Sequence, residues 1–360
     1  MGYLFVFVET LHIWFSRLSR RMEERESKKS VYASSTNFNG MSSYKFVFNN
    51  NCFVNVCVVS NISLNNAKKA KNDEFYTRIE DIEKELVNYG DFFKDKVVYC
   101  NCDHPTESNF PRYFLLNFEK LGLKKLVSTC FISDGNGWVG IKEKDVEYTI
   151  EQLEGNGDFR SEECIEFLKQ ADVVVTNPPF SLFRDYVKQL MDYGKKFLII
   201  GNGNAVTYKE IFPYIKNNQL WIGNKCFSGG MDFIAGKNYD ASKCKHPKYD
   251  DFGNIIINVM MCVWFTNIPH TKRNTKIDLY RKYNETDFPK YDNYDAIECG
   301  KVTDIPEDYN GVMGVPITFL DKYCPTQFEI VGITSPFLNG KKLYKRLFIK
   351  RVKNNETKEI

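Results

Sequence analysis

Residues Asp172 to Phe180 read DVVVTNPPF. Val173, Val174 and Val175 form an unbroken β-branched run, the pattern of a strand covered on both faces. Pro178 and Pro179 end it, because neither donates to a sheet ladder and each holds the preceding residue extended. The product is a stiff loop at the carboxyl end of a strand, where open α/β sheets carry their ligands. Asn177 brings an amide oxygen and Pro178 a carbonyl oxygen, and proline adds no competing donor. Two such acceptors suit an aromatic amine, a poor nucleophile because its lone pair is spread into the ring. Accepting both amine protons turns that lone pair toward an electrophilic methyl carbon without a general base. Asparagine keeps these hydrogen bonds neutral, so proton loss follows transfer. Phe180 supplies a flat face on which a base swung out of its duplex can stack. A chance match to such an element in a chain this long is on the order of one in a hundred. The alternative is a strand-terminating turn with an aromatic core anchor.

The elements that must hold this loop follow from periodicity. Thr77 and Glu80 have capping-box spacing ahead of Ile79, Ile82, Leu86 and Tyr89 on one helical face. KVVYC is a strand, and Ser108 caps a helix carrying Phe110, Tyr113, Phe114, Phe118 and Leu121. LKKLVSTCFI is a second strand. Ser161 caps the next helix, with Glu162 and Glu163 favourable in its first turn. After the NPPF loop come a helix from Ser181 to about Tyr193 and the strand KKFLIIG. Strand and helix alternate, which predicts an α/β fold with a doubly wound, mostly parallel sheet. Beyond Gly201 the strands LWIG, MDFIA, VMMCVWFT and FEIVGI stand between long polar loops.

At 360 residues the chain holds one large domain with an appendage, or two domains. Its 43% hydrophobic and 26% charged residues are those of an ordinary globular protein. A net charge of only +3 means that nucleic-acid affinity must come from local patches. Eleven cysteines without a Cys-x-x-Cys pair argue for reduced thiols in a cytoplasmic protein, with neither a disulfide frame nor a zinc site. Four histidines lack ligand spacing, and no metal is expected. The opening GYLFVFVETLHIWF is too short, and too interrupted by Glu9 and His12, to span a membrane, and no small-residue cleavage site follows it. We expect residues 1–64 to be a poorly ordered or marginally packed extension, 65–270 a catalytic domain, and 271–360 a recognition region ending in the basic tail KKLYKRLFIKRVK.

The strings KNDEFYT, VVYCNCD, GNGDFRSEEC, VVVTNPPFSLFRDYV, FLIIGNGNAVTYKEIFP, CVWFTN, KYDNYDAI and GVPITFLDKY together resemble the EcoRI-type adenine-specific DNA modification methylases. The likeness runs from about Leu64 to about residue 350. NPPF alone is diagnostic; the others gain weight from their order and spacing. The resemblance implies a Rossmann-like fold, S-adenosylmethionine as methyl donor, and adenine-N6 in a short sequence of double-stranded DNA as acceptor. It also implies a possible cognate restriction endonuclease sharing that site. By position it makes Asn177, Pro178, Pro179 and Phe180 the catalytic loop. It sets Tyr76 and Thr77 along the donor's methionine end, Asp103 as the cofactor-side carboxylate, and Asp158 as the acceptor from the cofactor's adenine amine. No Gly-x-Gly follows the first strand, and Asp134 is the one candidate for a ribose-binding acid.

Each residue also has a plainer reading: Thr77 as a helix cap, Asp103 as turn chemistry before His104-Pro105, Asp158 as a solvated turn after Gly155 and Gly157. Two other functions stay open at this point. One is the same chemistry on cytosine-N4, an RNA base or a protein amide; the other is a nucleic-acid-binding relative without catalysis. For recognition, Lys272, Arg273, Lys276, Arg281, Lys341, Lys342, Lys345 and Arg346 are the expected phosphate contacts.

Overall fold

The computed structural model describes residues 75–235, 248–251 and 253–352, together with the backbone of three strands between residues 32 and 59. Those three strands, Tyr32–Phe38, Met41–Phe48 and Cys52–Val59, pair antiparallel in chain order within a separate unit, Met1–Asn66. Apart from them, the expectation for residues 1–64 lies outside the described residues, as do Lys71 to Glu74 of the KNDEFYT string and Lys353 of the tail. No helix among the described residues is long and apolar enough to cross a membrane.

The second unit, Ala67–Ile360, is built on one large sheet. In chain order its framework is helix α1 (Ile79–Leu86), strand β1 (Val97–Cys100), helix α2 (Asn109–Leu116), strands β2 (Lys125–Cys130), β3 (Trp138–Glu143) and β4 (Thr149–Gln152), and helix α3 (Glu162–Gln170). Strand β5 (Val173–Thr176), helix α4 (Phe183–Asp192) and strands β6 (Lys196–Asn202), β7 (Trp221–Ile222) and β8 (Cys262–Thr266) complete it. Across the sheet the order is β7-β8-β6-β5-β1-β2-β3-β4. Only the neighbours β6, β5, β1 and β2 pair in parallel; β8 on one side and β3 on the other run against them, and β7 and β4 pair antiparallel to β8 and β3 in turn. The sheet is therefore mixed, and parallel pairing is confined to its centre. The physical reason is that β3 and β4 follow their neighbours through short turns. Such turns allow antiparallel return but no crossover helix.

The valine run is central, as its composition requires. Val173 and Val175 face α1 and α2 along with Val98, Cys100, Leu198 and Ile200, while Val174 faces α3 and α4 with Tyr99, Val127, Phe197 and Ile199. Alternate residues along a strand point to opposite faces, so helices cover both sides and the centre is dry. Full burial of each valine contributes about 1.5–3 kcal/mol. The core on the α3/α4 face continues into Phe288, Ile297, Cys299, Met313, Val315, Leu347 and Ile349 of the C-terminal segment. There Ile297–Glu298, Met313–Pro316, Arg346–Arg351 and Phe328–Thr334 form a four-stranded sheet.

Two local expectations are corrected. Thr77 does not cap α1: it lies in a short strand, Phe75–Thr77, paired with Met231–Ala235, and Arg78 occupies the cap position without a side-chain hydrogen bond. Sheet pairing takes the backbone that the capping box needed. VMMCVWFT is not one strand either, since Met261 turns with φ +57° and β8 begins at Cys262. Ser108 and Ser161 do cap their helices, accepting from Phe110 N and Cys164 N at 3.3 Å each.

At the β7 edge, buried His270 donates from Nε2 to the Ile222 carbonyl at 3.1 Å. Its Nδ1 is buried with no hydrogen-bond partner among the described residues. Burial, opposed by the Ile222 hydrogen bond and helped to a lesser degree by the nearby Lys272 and Arg273 charges, holds His270 below its ordinary value of 6.5. A lowered histidine contributes stability fully above the unfolded value and loses it as pH falls through that value toward the folded one. Thermal melting should thus drop as pH is lowered from about 7 to 5, and His270→Gln should flatten that drop. An unchanged slope in the variant would show that His270 plays no part.

Candidate active site

The carboxyl ends of β1, β2 and β5 carry Asp103, Asp158 and Asn177 of the residues singled out by the sequence. Thr176 ends β5, opposite Ile199 of β6, and is fully buried. Asn177 follows, half-buried with its Oδ1 closed to solvent; Pro178 is buried, Pro179 exposed, and the half-buried Phe180 packs against the core of the α2 face. A single 3₁₀ turn, Phe180–Leu182, then leads into α4.

The loop is pinned on both flanks to the segment after β1. Ahead of it, the Thr176 hydroxyl donates to Oδ2 of Asp103; behind it, the Tyr186 hydroxyl on α4 donates to Oδ1 of Asn101. Asp103 also accepts on Oδ1 from Ser108, the α2 cap, and its backbone N–H donates to Thr129 of β2 at 2.9 Å. One buried aspartate, through its carboxylate and its backbone N–H, thus joins the ends of three strands to a helix start. Burial, and then neighbouring Cys102, push the Tyr186 phenol well above its ordinary value, so it remains a neutral donor. Asn101, Thr176 and Tyr186 were not singled out by sequence. The available signal was faint: a polar residue at a strand's end, and an apolar-face tyrosine on a helix.

Tyr76 and Thr77 reach the same corner. The Tyr76 hydroxyl donates to Glu107 Oε2 at 3.3 Å, and the Thr77 carbonyl accepts from Asn109 Nδ2 at 2.8 Å. Thr77 is only 3% exposed, yet its Oγ1 has no hydrogen-bond partner among the described residues; the same holds for Nδ2 of Asn101, 1% exposed. Leaving a buried polar atom unpaired costs about 1–3 kcal/mol. Each of these two atoms is one that a bound polar ligand could satisfy.

Asp158 lies on the neighbouring strand end. Gly157 adopts φ +77°, and a Cβ there would meet the Cys130 carbonyl at 2.1 Å, so the GNGDF loop presses onto the end of β2. The Asp158 carboxylate is gripped by Arg160 at 2.7 and 2.9 Å, and those hydrogen bonds hold it below its ordinary value. Its field reaches Cys102, beside Asp103. Asp134 stands apart, exposed and bonded to Ser133.

The expected phosphate contacts divide sharply. Lys272 bonds the Asn224 carbonyl at 2.8 Å, Arg273 stacks on Trp221 at 3.7 Å, and Arg281 bridges Asp287 and Asp304. Lys345 bonds the Thr207 carbonyl, and Arg346 forks onto Glu298 at 2.9–3.1 Å. These five hold the fold together. Lys276, Lys341 and Lys342 are exposed and have no ion-pair partner among the described residues. A solvent-open cleft with about 390 Å³ of empty space, lined by His270, Arg273 and Asp321 among others, lies at the β7 edge, three strands from β5. Its cations are already committed to Trp221 and Asp321.

The family model described as "Adenine-specific methyltransferase EcoRI" matches residues 63–359. The chain is 47% identical to the type II methyltransferase M.EcoRI of Escherichia coli over 316 residues, 81% of this chain and 97% of that one. It is 40% identical to M.MgeORF184P of Mycoplasma genitalium over 80% of this chain and 98% of that one. It is 43% identical to M.MpnI of Mycoplasma pneumoniae over 76% of this chain and 86% of that one. No solved structure matches the chain.

The Asp103 tether generates a test independent of any substrate. Thr176→Val removes a donor to a buried carboxylate without changing shape and should cost about 1–3 kcal/mol in denaturant unfolding, while Thr176→Ser should cost much less. Equal stability of wild type and the valine variant would contradict the tether.

Proposed function

Because the chain belongs to the EcoRI family of adenine-specific methyltransferases and is a DNA adenine methyltransferase, we propose that Asn177, Pro178, Pro179 and Phe180 form its catalytic loop. The observation that carries this reading is the double pinning of that loop, by Thr176 on Asp103 and Tyr186 on Asn101, at the carboxyl edge of a buried sheet. A rigid acceptor pair stabilises the transition state only if it is organised before the substrate arrives. Here the Asn177 amide oxygen and the Pro178 carbonyl accept the two protons of the adenine N6 amine. Asn177 Oδ1 lies out of solvent, so entry of the base must shift the side chains that cover it. Adenine reaches the loop by rotating out of the duplex, with Phe180 stacking on it.

The donor in this reading is S-adenosylmethionine, which supplies an electrophilic methyl carbon when bound. Its amino-acid end carries both hydrogen-bond donors and acceptors, matching the unpaired Thr77 hydroxyl and Asn101 amide; Tyr76 flanks them. Asp103 already receives two hydroxyls, and its remaining lone pairs can accept from the same ligand. Asp158 takes the cofactor's adenine amine once Arg160 shares its carboxylate. The central parallel strands with helices on both faces support a Rossmann-like reading, in which holding donor and acceptor in line supplies up to about 7–11 kcal/mol of the acceleration. In this reading residues 271–350 carry recognition, the enzyme works in the cytoplasm, and a restriction endonuclease with the same site is its partner.

Asn177→Ala should lower kcat for adenine methylation by about a hundredfold to a thousandfold while binding of S-adenosylmethionine in calorimetry stays as in wild type. Mass spectrometry of the digested DNA should find N6-methyladenine with wild type. Undiminished turnover by the variant would remove Asn177 from the chemistry.

A further inference from the structure

Residues 337–344 form a β-hairpin whose position the methylation chemistry leaves unexplained. Phe337–Leu338 pairs with Lys341–Lys342 across the turn Asn339-Gly340, where φ is +50° and +73°. Two successive positive φ values define the tight turn that Asn-Gly favours. The turn is held from outside: the Asp292 carboxylate accepts from Asn339 N at 3.1 Å and Gly340 N at 2.8 Å. Asn293 Oδ1 accepts from Phe337 N at 2.8 Å, and Asp292 N donates to the Phe337 carbonyl at 2.8 Å. The KYDNYD string is thus the mount of this hairpin.

Its two faces differ. Leu338 and Leu343 pack onto Tyr291, Ala296 and Phe348, whereas Phe337 is 38% exposed, Tyr344 is 59% exposed, and Lys341 and Lys342 are exposed. Cross-strand pairing puts Phe337 beside Lys342. An aromatic ring and a free cation side by side, on an element fixed so firmly, are not needed by the core. The hairpin also has an address. The Tyr344 hydroxyl donates to Asn204 Oδ1 at 2.8 Å, and Lys345 Nζ donates to the Thr207 carbonyl at 2.9 Å. Asn204 lies two residues beyond the end of β6, the parallel neighbour of β5, so the hairpin is fastened to the sheet edge that carries the NPPF loop. Adjacent strands lie about 4.8 Å apart.

We propose that this hairpin is a DNA-binding element beside the target base: Lys341 and Lys342 take backbone phosphates, and Phe337 packs on a base face opened when the adenine leaves the stack. The inference rests on the DNA adenine methyltransferase reading and assigns substrate contact to particular residues. Net charge is only +3 and five of the eight expected cations are committed to the fold, so the uncommitted pair at this tip is well placed to meet the duplex.

The test uses the full chain, unmethylated genomic DNA from a methylation-free host, and labelled S-adenosylmethionine. Replacing Lys341→Ala and Lys342→Ala together should raise the KM for DNA about tenfold and reduce the log–log salt slope by about two. Phe337→Ala should lower kcat/KM for DNA about fivefold to a hundredfold, with Phe337→Tyr restoring most of it. The KM for S-adenosylmethionine should not move in any of them. Wild-type DNA kinetics and salt slope in the alanine variants would overturn the proposal, as would an equal rise in both KM values. A wild-type chain that methylates no adenine would remove the premise itself, a result distinguishable from failure of the hairpin alone.

Discussion

The carboxylate of Asp103 is the point on which the corner proposed as the active site depends. It is buried at the end of β1 and receives the Thr176 hydroxyl from β5 and the Ser108 hydroxyl from the start of α2. A buried charge is tolerated only where hydrogen bonds compensate it. The surrounding chain is therefore obliged to bring those donors to one place. Doing so sets the spacing between two adjacent strand ends, and Asn177 is the next residue along. Tyr186 completes the arrangement by fixing the first turns of α4 to Asn101. The loop between these anchors contains two prolines and has little freedom left.

Much of this was legible in the chain. The valine run declared a doubly covered strand, and Ser108 and Ser161 declared helix starts, because those patterns depend on local chemistry alone. Thr77 misled, since its capping-box spacing is local whereas its pairing with Phe233 is made by a strand more than 150 residues away. The antiparallel flanks of the sheet were missed for the same reason: apolar runs reveal strands but not their direction. Among basic residues, sequence cannot separate Arg346, forked onto Glu298, from Lys342, which stands in solvent. That distinction belongs to tertiary structure.

The C-terminal segment shares the hydrophobic core of the α3/α4 face, so its small sheet is carried rigidly by the large one. This has a functional consequence. The proposed recognition element, set on packed strands, keeps its register with the proposed catalytic loop, whereas one on a free linker would not. The Tyr344–Asn204 and Lys345–Thr207 contacts strengthen that coupling at the edge that carries the proposed catalytic loop.

The most direct measurement is a crystal structure of the enzyme with S-adenosylhomocysteine and a duplex containing its methylation site. The target adenine is expected outside the helix, its N6 within about 2.7–3.2 Å of both Asn177 Oδ1 and the Pro178 carbonyl oxygen. A productively bound adenine whose amine met neither atom would contradict it.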